Sequence, residues 1–197
     1  MRELECATVI LRLLALPLVA VTLLAIPAAA QEPPPQPTGR KPRVSPPQPQ
    51  QAQGPDYFAG TWTFTWVGRE SPISAGPREG TLTYARKGPS GLELRAEGRI
   101  DGGATFSETG TAEWNAETKT MTWAERLSTG VELRSIGDWS SPIGIRAESE
   151  PVKAGSQTIR VRRLYSILSA QSYRVTEEIS VNGGPYQRLG DGRFQKR

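Results

Sequence analysis

The chain has 197 residues, no histidine and one cysteine, with 24 lysines and arginines against 20 aspartates and glutamates. The missing histidine and the scarcity of cysteine remove the usual general base of hydrolases and the commonest ligands for zinc, copper and haem. A net charge of +4 is too small to indicate a nucleic-acid-binding protein, which normally has a clustered basic face. We therefore expect no catalytic residues, no cofactor, no metal site and no nucleic acid as partner.

The first thirty residues have the pattern of a secretory signal peptide. Arg2 and Arg12 flank the start of an apolar run at 13–26, and small residues follow up to Ala30. The run is shorter than the roughly 20 residues that a membrane-spanning helix needs. We predict cleavage near Ala30, which gives a periplasmic or secreted protein without a transmembrane span. Because Cys6 lies in the removed segment, the mature chain would have no disulfide.

Residues 31–55 are rich in proline and glutamine and contain no aromatic residue. Such a segment buries too little apolar surface to offset the entropy lost on ordering, so we predict a disordered linker. Its basic group at Arg40, Lys41 and Arg43 allows a second interpretation. In that interpretation the linker contacts an anionic surface of the cell envelope, such as a membrane or cell wall.

From residue 56 to residue 197 apolar and polar residues alternate, and short turns separate the alternating runs. Trp62, Phe64 and Trp66 share one face of the first strand. Further strands are predicted at about 79–86, 92–97, 104–114, 119–127, 131–134, 143–150, 157–168, 171–181 and 186–196. About ten strands joined by tight turns favour an all-β fold, a single antiparallel up-and-down barrel. The strand faces opposite the aromatic residues are polar, which predicts a barrel surrounded by water rather than an outer-membrane barrel.

The first strand contains Gly60-Thr61-Trp62, the G-x-W element of lipocalin-like (calycin) barrels. With this element in 58–62, a second block at 110–123 and a third at 178–184, the sequence resembles a family of bacterial secreted lipocalin-like domains of unknown function. The resemblance implies that Gly60 and Trp62 help to close the barrel. It also implies that a late arginine, here Arg193, packs over Trp62 in a cation–π contact. It implies no activity.

The alternation also places four charged residues on the predicted inner face of the barrel: Glu108, Glu125, Arg163 and Glu177. A buried charge costs several kcal/mol unless it is paired. In one interpretation Arg163, Tyr165 and Tyr173 form the polar end of an aromatic pocket that holds an anionic amphiphile. In the other, Arg163 is neutralised by one of the inner glutamates. The candidate ligand-binding residues are Arg163, Tyr165, Tyr173, Glu108, Glu125, Trp123 and Trp66.

Three functions follow from this pattern. The first is an exported barrel that binds a small apolar or amphipathic ligand, and the second is a structural or interaction protein of the cell envelope with a filled barrel. The third is an enzyme that uses Glu108 and Glu125 as an acid and base pair, which the sequence favours least. An enclosed cavity of at least roughly 300 Å³ would favour the first function over the second.

Overall fold

The structure of the protein is a computed structural model that describes residues 54–197. The predicted signal peptide at 1–30 lies outside the described residues, as does the linker up to residue 53, so both remain predictions. Within residues 54–197 no helix is long and apolar enough to cross a membrane.

One 3₁₀ turn and thirteen strands make up the described residues. They are the turn Pro55–Tyr57 and strands β1 (Gly60–Gly68), β2 (Glu70–Ser71), β3 (Ser74–Ala75), β4 (Arg78–Lys87), β5 (Gly91–Ile100), β6 (Thr105–Asn115), β7 (Thr120–Arg126), β8 (Glu132–Ser141), β9 (Gly144–Ser149), β10 (Val152–Ala154), β11 (Gln157–Ser169), β12 (Ser172–Val181) and β13 (Gln187–Lys196).

Ten of the strands form a closed antiparallel barrel. Their order around the barrel is β1-β4-β5-β6-β7-β8-β9-β11-β12-β13, and β13 pairs with β1 to complete the ring. Strand β10 pairs only with β11, whereas β2 and β3 form a separate small hairpin. The predicted all-β, ten-strand up-and-down barrel is therefore confirmed.

Three details differ from the sequence-based expectation. No strand was predicted between β1 and β4 or at β10, but the structure has the β2–β3 hairpin in the first segment and a short strand at the second. Strand β8 continues past residue 134 to Ser141. Strands of two or three residues are too short to show an alternation, so the sequence pattern alone does not reveal them.

The two ends of the barrel are closed in different ways. At one end, which we call the closed end, the 3₁₀ turn and the residues after it fill the opening. There the Tyr57 hydroxyl donates to the carbonyl oxygen of Ser169 at 2.9 Å, and Trp62 Nε1 donates to the carbonyl oxygen of Phe58 at 2.7 Å. At the opposite end, the hairpin end, Ile73 of the β2–β3 hairpin is buried among the apolar side chains of the barrel. Apolar clusters therefore fill both ends, and polar side chains lie between them.

The cation over Trp62 is Lys196, whose Nζ lies 5.1 Å from the ring centroid. The predicted contact of Arg193 with Trp62 is wrong. Arg193 pairs with Thr65 of β1 and is exposed on the outer wall, whereas Lys196 pairs with Trp62 itself. Because side chains alternate along a strand, residues 193 and 196 of β13 face opposite sides of the sheet. Gly60 leaves room for the lysine, since a Cβ at Gly60 would lie 3.0 Å from Lys196 Cε.

Candidate functional site

A cavity of about 80 Å³ lies inside the barrel between the two apolar clusters. Six of the seven candidate ligand-binding residues line this one cavity: Trp66, Glu108, Glu125, Arg163, Tyr165 and Tyr173. Trp123 is not in the cavity wall but lies behind it, stacked on Tyr165 with ring centroids 5.5 Å apart. The structure therefore places six of the predicted residues at one cavity, and the sequence had left open which inner glutamate pairs with Arg163.

Arg163 is held between two carboxylates. Its Nε donates to Glu177 Oε1 at 2.8 Å, and its Nη1 donates to Glu125 Oε2. The three side chains are 11%, 10% and 17% exposed for Arg163, Glu177 and Glu125 respectively. The register of the sheet places Arg163 of β11 directly opposite Glu177 of β12. Of the two interpretations of this arginine, the internal ion pair is the one that the structure shows.

The pKa values of this triad follow from its burial and its charges. Burial raises the pKa of Glu125, and the nearby glutamates add to this effect while Arg163 opposes it. Burial alone would lower the pKa of Arg163, but Glu125 and Glu177 outweigh it and hold that pKa well above its usual value. Arg163 therefore remains charged, and Glu125 takes up a proton at a higher pH than an exposed glutamate does.

Glu108 lies at the edge of the cavity and is partly exposed. Its Oε1 accepts hydrogen bonds from the Ser128 hydroxyl at 3.0 Å and from the Ser128 backbone N–H at 3.3 Å. These bonds direct the carboxylate toward the turn between β7 and β8. Glu108 and Glu125, the residues of the predicted acid and base pair, are therefore each hydrogen-bonded to another group, Glu108 to Ser128 and Glu125 to Arg163.

Tyrosine hydroxyls form a second polar group in the cavity wall. Tyr165 and Tyr173 were predicted there, and Tyr84 of β4 joins them. Burial raises the pKa of each of the three phenols above its ordinary value. All three therefore stay neutral over the physiological range and can donate a hydrogen bond.

Arg78 is a charged residue of the cavity wall that was not predicted from the sequence. Its guanidinium carbon lies 4.7 Å from the ring centroid of Trp66 and 5.7 Å from that of Phe106, and its Nη1 donates to Ser74 Oγ at 3.2 Å. No acidic side chain in the described part of the chain forms an ion pair with it. Arg78 is the first residue of β4, and the predicted strand began one residue later, so the alternation was not extended to it.

Buried polar atoms without a partner are concentrated around this cavity. Among residues 54–197, five buried side-chain atoms have no hydrogen-bond partner: Trp66 Nε1, Arg78 Nε, Trp123 Nε1, the Tyr173 hydroxyl and the Tyr186 hydroxyl. Three of these belong to residues of the cavity wall. Folded proteins satisfy nearly all their buried polar groups with protein or ordered water. The cavity is therefore suited to an occupant that accepts hydrogen bonds.

The Trp66 ring is fixed in its place by glycines. A Cβ at Gly190 would lie 2.4 Å from Trp66 Cζ2, and a Cβ at Gly68 would lie 2.3 Å from its Cη2. The indole therefore packs directly against the backbone of Gly68 and Gly190, and a larger residue at either position would displace it. This close packing holds Trp66 where its ring can contact Arg78.

Comparison with protein families and with curated proteins finds no match. Among solved structures, Rv2717c from M. tuberculosis is similar in fold, with a TM-score of 0.57 and 16% sequence identity over 72% of this chain and 93% of that one. A de novo designed fluorescence-activating β-barrel matches with a TM-score of 0.40 and 20% identity over 74% of this chain and 99% of the design. The barrel EF1p2_mFAP2b, bound to DFHBI, matches with a TM-score of 0.41 and 14% identity over 74% of this chain and 98% of that one. The similarity to Rv2717c supports a shared β-barrel fold, and the specific resemblance to lipocalin-like secreted domains remains a prediction.

Proposed function

We propose that the protein is an exported, non-catalytic barrel that binds a small anionic or otherwise acceptor-rich ligand in its interior cavity. The observation that supports this most is the group of unpartnered donors on Arg78, Trp66 and Tyr173 around one cavity. All three can donate a hydrogen bond, and the guanidinium also has an uncompensated charge. An oxyanion would satisfy both requirements, because arginine binds carboxylates and related anions through directed, charge-assisted hydrogen bonds.

The size of the cavity limits the ligand. A volume of about 80 Å³ corresponds to roughly three water molecules at the density of the liquid. This is well below the roughly 300 Å³ set above as the size that favours binding of an apolar or amphipathic ligand, so the structure does not meet that criterion for such a ligand. The ligand is therefore of the size of formate, nitrate or acetate. A larger amphiphile of the kind expected from the sequence fits only if its polar head enters the cavity and side chains at the hairpin end move aside.

A filled barrel that serves as a scaffold is the second candidate. It is favoured by the pairing of Arg163 with Glu125 and Glu177, since these carboxylates already occupy the buried guanidinium that could otherwise bind an anion. In this case water alone would satisfy the unpartnered donors. The two candidates differ in one measurable property, namely whether the cavity binds anything other than water.

The decisive experiment is a titration of the purified protein with anions of increasing size. Formate, nitrate, acetate and hexanoate are added at constant ionic strength while thermal unfolding is followed. We expect the small anions to raise the melting temperature by binding the native state, and hexanoate to do so less. Arg78→Met should abolish the effect. Arg95→Met should not, because Arg95 lies on the outer wall in an ion pair with Glu97.

Two results would contradict the proposal. One is the absence of any anion-dependent shift in the unaltered protein. The other is an equal shift in Arg78→Met, which would indicate that the anion binds elsewhere. Native mass spectrometry of protein purified from its own host complements the titration, because a retained small molecule would identify the natural ligand.

A further inference from the structure

An open concavity of about 810 Å³ lies on the outer wall of the barrel, across β11, β12, β13, β1, β4 and β5, and includes the exposed Leu168 of β11. Four arginines line it, together with hydroxyl and amide side chains and one glutamate. We call this surface the arginine face, and define it by Arg99, Arg174, Arg193, Arg197, Thr63, Thr65, Thr81, Ser172, Gln195 and Glu79. With four positive side chains and one negative side chain, the formal charge of these side chains is +3.

The sheet register sets these arginines beside one another. Arg174 of β12 lies directly opposite Arg193 of β13, and Arg193 lies opposite Thr65 of β1. Continuing across the sheet, Thr65 is opposite Glu79, which is opposite Arg99 of β5. Like charges directly opposite each other in a sheet are destabilising. Asp191, two residues before Arg193 on the same strand, pairs with Arg174 and offsets part of this repulsion.

Most of the arginines on this face have no acidic partner. Arg174 Nη2 lies 2.7 Å from Asp191 Oδ1. Arg99, Arg193 and Arg197 form no ion pair with any side chain of the part of the chain that the structure describes. Three exposed guanidinium groups are therefore free to bind an external anion.

A second concavity on the outer wall provides an internal comparison. It has a volume of about 900 Å³, extends across β4 to β8, and is also lined by arginines. There Arg95 pairs with Glu97, Arg126 with Glu132 at 3.7 Å and Arg134 with Glu150 at 2.6 Å. Of these two concavities, only the arginine face therefore contains arginines without an acidic partner among the described residues.

We infer that the arginine face binds an anionic polysaccharide. Neighbouring strands are about 4.8 Å apart, so Arg193 and Arg99, three strands from each other, are separated by roughly 14 Å. This is a separation between backbones, and the row of guanidinium groups across this width of sheet favours an extended chain with repeated anionic groups over one small anion. Thr63, Thr65 and Gln195 lie between and beside the arginines and can exchange hydrogen bonds with sugar hydroxyls.

The composition of this surface favours a polysaccharide over single-stranded nucleic acid. Proteins that bind single strands usually stack the bases on accessible aromatic rings. The aromatic residues at this concavity are Phe64, Tyr173 and Phe194, which lie on the inner face of their strands and pack with one another. The hydroxyl-rich surface between the arginines offers polar contacts instead.

The test uses the full chain and two immobilised polymers, polygalacturonate and dextran sulfate, with uncharged dextran as the blank. The variant Arg99→Gln/Arg193→Gln/Arg197→Gln removes the free arginines. The control Arg95→Gln/Arg126→Gln/Arg134→Gln changes the net charge equally but alters only the paired concavity. Exposed ion pairs contribute little to stability, so both variants should fold, which circular dichroism verifies.

We expect the unaltered protein and the control variant to bind at least one anionic polymer at about 0.15 M salt. The arginine-face variant should bind about tenfold more weakly and with a smaller salt dependence, because fewer counterions are released. Equal weakening in both variants would overturn the proposal in favour of a general charge effect, as would the absence of binding. More effective competition by single-stranded DNA than by the polysaccharide would assign the face to nucleic acid instead. The Arg78→Met variant leaves this surface unchanged, so the result is independent of the interior site.

Discussion

Two arginines contribute to the same interior cavity but have opposite surroundings. Arg163 is enclosed by the carboxylates of Glu125 and Glu177, whereas Arg78 lies against the rings of Trp66 and Phe106 and, within the described residues, has no acidic partner. Removing one member of a buried ion pair leaves the others uncompensated and is strongly destabilising. Arg163 is therefore neutralised inside the barrel, while the charge of Arg78 has no acidic partner among residues 54–197.

The largest expected effect comes from Arg163→Leu. This change leaves Glu125 and Glu177 buried without their cation and should lower the free energy of unfolding by about 3–5 kcal/mol. Urea denaturation followed by tryptophan fluorescence measures the loss. The triple variant Arg163→Leu/Glu125→Gln/Glu177→Gln removes the charges together and should recover much of the stability. If Arg163→Leu were as stable as the unaltered protein, the triad would have no structural role.

Arg78→Met should have a smaller effect on stability. The substitution removes contacts with two aromatic rings and one hydrogen bond to Ser74 but leaves no carboxylate unpaired. Arg78 is partly exposed, and cation–π contacts contribute from about 0.5–1 kcal/mol at exposed sites to about 2 kcal/mol when desolvated, so we expect a loss of about 1–2 kcal/mol in the same urea assay. A loss as large as that of Arg163→Leu would contradict the comparison, because it would mean that Arg78 also neutralises a buried negative group.

The pH dependence of stability distinguishes Glu125 from Asp191. Burial raises the pKa of Glu125 in the folded protein. Its contribution to the free energy of unfolding is therefore complete at a pH below the pKa of Glu125 in the unfolded chain, and it is lost as the pH rises through the pKa in the folded protein. Asp191 behaves in the opposite way. Burial tends to raise its pKa, but hydrogen bonds from Arg188, Thr176 and Arg174 outweigh this and lower it, so stability is lost as the pH falls through its folded value.

Urea denaturation between about pH 3 and pH 8 measures both contributions, which lie around the ordinary carboxylate range. Glu125→Gln should remove the decrease in stability toward higher pH, and Asp191→Asn should reduce the decrease toward lower pH. An unchanged pH profile in Glu125→Gln would show that the Arg163 triad does not control the titration.

The smallest expected effect concerns the other cation–π contact described above, that of Lys196 with Trp62. Lys196→Met should cost about 0.5–1 kcal/mol, as expected for a partly exposed cation–π contact. Arg193→Met is the matched control on the same strand and should be nearly neutral, since Arg193 faces outward. A larger loss of stability in Arg193→Met than in Lys196→Met would support the contact of Arg193 with Trp62 that the family resemblance implied.

The alternation of apolar and polar residues was sufficient to predict the barrel and the inward positions of Glu125, Arg163 and Glu177. It could not predict that Arg163 would pair with Glu177, because that contact depends on the register between β11 and β12 and not on either strand alone. The error at Arg193 has another origin: the contact was carried over from the family resemblance, and Lys196, on the opposite face of β13, takes that place. Arg78 was missed for a different reason: the start of a strand is the least certain part of such a pattern, and Arg78 is the first residue of β4.

The pairing of β13 with β1 has a consequence for the order of folding. Lys196 contacts the carbonyl oxygen of Tyr57, 139 residues earlier in the chain, and the same strand completes the ring. Domains dominated by contacts between residues distant in sequence fold slowly, because a long loop must close before those contacts form. The barrel therefore stays open until Gln187–Lys196 has been synthesised. Until then the edges of β1 and β12 remain available for pairing with other chains.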